Sequence, residues 1–165
     1  MEIPHRAASD KGGLYVVRIL GYLRVEVLHT VLGLNAKDLR RTVDIEIAGI
    51  VARIPLPHLV LKAKLANSAL ITQDGRQDVK HARMMLACVR AFILELLENQ
   101  RAGLIGERPV VNLLEEIREV MSSRNAGKAA ALWCFNFREI WPMEELKTSG
   151  GEKVTRWLEH RLSCE

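Results

Sequence analysis

The hydrophobic period of this chain changes from two to about 3.6 across Ile54-Pro55-Leu56-Pro57, and that change constrains the fold class more than any other feature. Upstream, Thr42 to Ala48 puts Val43, Ile45 and Ile47 on one face and Asp44 and Glu46 on the other, the alternation of a half-buried strand. Gly49 permits a reversal, and Ile50, Ala52 and Ile54 repeat the alternation, which predicts an antiparallel hairpin. Leu14 to Leu20 and Leu23 to His29 read as two further strands joined at Gly21-Tyr22. Residues 1–13 form an irregular lead-in, and Gly33 to Arg41 reads as a turn or a brief helix.

Downstream, Pro57 suits the first turn of a helix, and Leu59, Val60, Ala63, Leu65, Ala66 and Ala69 follow with no breaker before Gly75. A second helix starts at Asp78 and runs to Gln100, with Val79, Ala82, Leu86, Val89, Ile93 and Leu96 on its apolar face. Gly103 and Gly106 break the pattern, and a third helix follows Pro109. Ala126, Ala130, Trp133, Phe137 and Ile140 predict a fourth over 125–140, stopped by Trp141-Pro142. Phe135 falls off that apolar stripe. A last amphipathic helix after Gly150-Gly151 carries Val154, Trp157, Leu158 and Leu162. The expected class is α/β of the α+β kind: a short mixed or antiparallel sheet near the N-terminus, then a helical C-terminal half. It divides into a β-rich part (1–54), a helical pair (55–101) and a C-terminal helical region (102–165), the last either in the same compact unit or a small appendage.

A chain of 165 residues supports one core. No run approaches the roughly 18 to 20 apolar residues that a bilayer-spanning helix needs, so the expected location is cytoplasmic, with no membrane partner. Cys88, Cys134 and Cys164 are odd in number and lack CxxC spacing, which predicts buried or terminal free thiols. The net charge is +4, and it is concentrated: from Arg53 to Arg90 seven Lys or Arg face two Asp, so that segment carries +5 and the remainder −1.

The order strand, strand, Ile54-Pro55-Leu56-Pro57, then Lys62-Ala63-Lys64-Leu65-Ala66, then Gly75-Arg76-Gln77-Asp78 opening a long helix resembles the nucleotidyltransferase-like superfamily, in particular its abortive-infection toxin branch. The resemblance runs from about Leu23 to Phe92 and covers the C-terminal part of that fold. It implies a phosphate-facing role for Lys62, Lys64, Arg76 and Asp78, and it makes Glu26 the counterpart of the family's third catalytic acid. Gln77 stands where the family often has lysine.

In that family a Gly-Ser loop grips the nucleotide phosphates and an Asp-x-Asp pair holds divalent metal. The 165 residues contain no Gly-Ser followed by Asp-x-Asp. The expectation is therefore a truncated or degenerate domain that binds nucleotide or RNA without transferring nucleotides alone. Mg²⁺ enters only with a complete site, and transfer requires a missing N-terminal half. A rearranged metal site is conceivable at Asp44, Glu46 and Glu26, since the first two share a strand face; the plainer reading is the solvated side of an edge strand.

Arg76, Lys80, Arg83 and Arg90 fall near one stripe of the long helix, opposite Val79, Leu86 and Ile93. Such a stripe suits sequence-independent phosphate contact by Lys80, Arg83 and Arg90, and it is equally the polar face any core helix must carry. A third reading is a mobile-element protein, of toxin-antitoxin type, serving as a protein-binding or inhibitory module whose partner docks on the C-terminal helices. His58, His81 and His160 show no metal spacing and are expected to be satisfied or solvated.

Overall fold

The computed structural model describes residues 14–19, 23–28, 31–149 and 151–162. The lead-in over 1–13, the Gly21-Tyr22 connection, Leu20, His29 and Cys164 lie outside the described residues.

Strands β1 (Leu14–Ile19) and β2 (Leu23–Leu28) pair antiparallel, as do β3 (Thr42–Ile47) and β4 (Ile50–Pro55). They form two separate two-stranded sheets. In the second, Val43 faces Ile54 and Ile45 faces Ala52, so the predicted apolar face is kept, while Asp44 and Glu46 are exposed. The reversal runs through Ala48 (φ 52°) and Gly49 (φ 78°), the two consecutive positive-φ positions that a tight hairpin turn needs to match strand twist. The Gly33 to Arg41 stretch is a turn ending in a single 3-10 turn, Asp38–Arg40. Asn35 organises it, its side-chain oxygen accepting from the backbone N–H groups of Lys37 and Asp38.

Helix α1 (Pro57–Leu70) begins at a proline in its first turn and is buried on most sides: Leu59, Leu61, Leu65 and Ala66 are all nearly inaccessible. It is the central element, packed against α2 (Asp78–Arg101), α3 (Glu107–Met121) and α4 (Arg124–Trp133). Two short helices follow, α5 (Met143–Lys147) and α6 (Glu152–Arg161). Residues of all six helices share one apolar core, so the described helices after residue 102 pack together with α1 and α2. No helix among the described residues is long and apolar enough to cross a membrane.

The fourth helix corrects the sequence expectation. It stops at Trp133, where Cys134 adopts left-handed backbone (φ 54°, ψ 45°) and donates its N–H to the Ala130 carbonyl, and only a 3-10 turn, Phe137–Ile140, follows. The three- and four-residue spacing of Trp133, Phe137 and Ile140 fits this broken path as well as a continuous helix, so periodicity could not tell them apart. Because the chain turns at Cys134, Phe135 swings inward and is 8% exposed, where a continuous helix would have turned it outward. Helix α5 was not expected from the sequence, and Cys88 and Cys134 are both exposed where buried thiols were expected.

Candidate functional site

Helix α1 and the start of α2 bring three of the predicted residues onto one point. Asp78 is the first residue of α2 and its side chain is 5% exposed. One of its oxygens accepts from Lys64 Nζ at 3.0 Å and the other from Arg76 Nε at 2.7 Å, with Asn67 Nδ2 at 3.5 Å. Burial alone would raise the carboxyl's pKa, but the hydrogen bonds and positive charges of Lys64 and Arg76 outweigh it and hold it below its usual value. The carboxylate also sits at the positive end of α2, where a negative charge is favoured. Two cations against one anion leave the cluster at +1. Lys80, two residues along α2 from Asp78, is exposed, and Arg76, Lys80 and Arg83 line the same open surface depression.

Lys62 is not part of this group. It donates to Asp38 at 2.8 Å, in a second cluster around His58. There Arg41 bonds Glu116, and His58 Nε2 lies 3.4 Å from the same Glu116 oxygen without the alignment of a hydrogen bond, leaving both ring nitrogens without partners. The ring is wholly buried, and desolvation depresses its pKa to about 4 against the opposing pull of Glu116. A histidine whose folded pKa lies below its unfolded value of 6.5 loses stability as pH falls from 6.5 toward 4, because the unfolded chain takes up a proton that the native state refuses. We expect an acid-side loss on the order of 3 kcal/mol across that window. His58→Phe, measured by urea unfolding at pH 7 and pH 4.5, removes most of that difference; an unchanged pH slope would assign it elsewhere.

The remaining predicted residues are dispersed. Arg83 and Arg90 do not stand free on the α2 surface: Arg83 donates to the Trp133 carbonyl and Arg90 to the carbonyls of Glu139 and Trp141, so both hold the chain that follows α4. Asp44 is paired with its cross-strand partner Arg53 at 3.0 Å, both largely exposed. The neighbouring-strand arrangement that would bring Glu26 beside Asp44 and Glu46 is not formed, since β2 pairs with β1 and β3 with β4. Among the described residues no three His, Cys, Asp or Glu side chains are grouped to hold a metal ion.

No protein-family model, curated protein or solved structure matches the chain.

Sequence reasoning missed Arg41, Glu116 and Asp38, whose meeting depends on how the 31–41 segment lies against α1 and α3. It also missed Glu115, which accepts from Arg118 and from Trp157 Nε1 at 2.8 Å and whose pKa those bonds pull down to about 2. The three-residue spacing of Glu115 and Arg118 on one helix face was a usable signal for that pair.

Proposed function

We propose that this chain is a truncated or degenerate nucleotidyltransferase-like domain that binds the phosphates of a nucleotide or RNA through Lys64, Arg76 and Lys80 and does not transfer nucleotides by itself. The observation that carries the reading is the Lys64–Asp78–Arg76 cluster. A nearly buried carboxylate fixes two cations from different segments, and the group keeps a net positive charge with Lys64 29% and Arg76 43% exposed. Cations anchored in this way lose little side-chain freedom when an anion arrives, and a guanidinium bonded to a carboxylate through part of its fork retains further N–H donors for phosphate.

The absence of a Gly-Ser loop and an Asp-x-Asp pair from the 165 residues supports binding without transfer, and activity would then require those groups to be supplied by a separate N-terminal half with its Mg²⁺. The test is to incubate the chain with Mg²⁺, labelled nucleoside triphosphates and RNA. Retention of RNA with no label incorporated is expected; incorporation abolished by Lys64→Ala would make the chain an enzyme in its own right.

A further inference from the structure

The chain that follows α4 closes over α2 to leave a cleft of about 330 Å³, lined in part by Arg83, Arg90, Cys134, Phe135, Asn136 and Glu139. That volume lies at the small end of ligand sites, which run from roughly 300 to 1,000 Å³. Arg83 and Arg90 are seven residues apart on α2 and thus on one side of it. Each is held by backbone carbonyls at 3.1 Å, and Arg83 also lies over the Phe135 ring, 5.8 Å from its centroid. Neither guanidinium has a carboxylate partner among the described residues. Glu139 has no cation partner there either; one of its oxygens accepts from Asn136 Nδ2 at 2.9 Å. Three unpaired charges therefore share one cleft, two positive and one negative. Carbonyl contacts use only part of each guanidinium's five donors, and the second Glu139 oxygen accepts but cannot donate.

From this arrangement we infer that the cleft binds a small phosphate monoester bearing hydroxyl groups, the chemistry shared by nucleoside monophosphates and sugar phosphates. The phosphate takes the guanidinium pair, whose planar forks suit its oxygens. A bare dianion would be repelled by Glu139, whereas a ligand hydroxyl donates to that carboxylate and converts the repulsion into a bond. Leu86, Ala87 and Phe135 supply the apolar wall for the body of the ligand. The inference does not rest on the RNA reading, since Lys64, Arg76 and Asp78 take no part in it, although Arg83 borders both surfaces.

Cys134 reports occupancy directly, because its thiol is exposed and lines the cleft, while the exposed Cys88 does not line it and serves as the internal control. The full chain is alkylated in the presence of ribose 5-phosphate, adenosine monophosphate, inorganic phosphate or adenosine, and each cysteine is followed by peptide mass spectrometry. Both phosphate esters are expected to slow labelling of Cys134 but not of Cys88. Inorganic phosphate should require about tenfold higher concentration, and adenosine should have no effect. Which ester protects at lower concentration identifies the source of the ligand. Arg90→Met should weaken protection by about tenfold or more. Because Arg90 also anchors the loop, Glu139→Gln is the decisive variant: it should weaken ribose 5-phosphate and strengthen inorganic phosphate, while Arg76→Glu leaves Cys134 protection in place. Unprotected Cys134 with every ligand, adenosine protecting as well as its monophosphate, or Glu139→Gln moving both affinities in the same direction would overturn the inference.

Discussion

Gly33→Ala is expected to destabilise the protein by about 2–4 kcal/mol, more than alanine at any other described glycine. Gly33 has φ +86°, and a Cβ there would stand 2.6 Å from the Cβ of Ala66 and 3.3 Å from the carbonyl oxygen of Lys62. Ala66 is fully buried in α1 and the Lys62 carbonyl belongs to the helix backbone, so neither can give way without moving the central helix. The 31–41 segment must then lift, taking with it the Asp38–Lys62 and Arg41–Glu116 pairs. Gly49→Ala separates the two contributions, because Gly49 has a similar φ of +78° but nothing within 4 Å of the added methyl. It should cost only about 1 kcal/mol. Urea midpoints of the two variants measure the difference, and equal losses would show that Gly33 is held by conformation and not by contact.

Asp78→Ala is expected to lower stability by about 2–3 kcal/mol, because it leaves Lys64 and Arg76 facing each other at the start of α2 without their shared anion. The loss stays below that of a fully buried pair since both cations keep contact with water. Asp78→Asn, which retains an acceptor but no charge, should cost about half as much. The pH dependence has a definite sign. A carboxyl held below its unfolded value of 3.8 contributes stability that is present above that value and is lost as pH falls through the folded one. The wild type should therefore lose more stability than Asp78→Asn on acidification below about pH 4, and parallel curves would remove the cluster as its cause.

The elements with one dominant signal were legible in the sequence. Pro57 marked the start of α1, Asp78 the start of α2, and the alternation from Thr42 to Ile47 the strand β3. Lys64, Arg76 and Asp78 were singled out from the sequence one by one, and only the fold shows that the two cations share the Asp78 carboxylate while Lys62 pairs with Asp38 instead. What was not legible depends on contacts between distant segments. Nothing local announces that Cys134 will take left-handed backbone, since it is not a glycine; the turn exists because Trp133 Nε1 reaches the Ser68 carbonyl at 2.9 Å and Arg83 takes the Trp133 carbonyl. Arg83 and Arg90 looked like a solvated basic stripe because a helical wheel shows direction but not the loop that later covers it. His58 looked like an ordinary polar residue in a first helical turn, and only the tertiary packing, which stacks its ring on Phe92 of α2 beside Glu116 of α3, buries it.

In the proposed function a nearly buried aspartate presents two tethered cations to phosphate. The most direct test is the salt dependence of single-stranded RNA binding by the wild type and by Arg76→Glu, followed by fluorescence anisotropy. With Lys64, Arg76 and Lys80 contacting phosphates, log K should fall against log salt with a slope of about −2 for the wild type, and Arg76→Glu should bind about tenfold more weakly with a shallower slope. A flat salt response, or an Arg76→Glu variant that binds as tightly as the wild type, would contradict the claim.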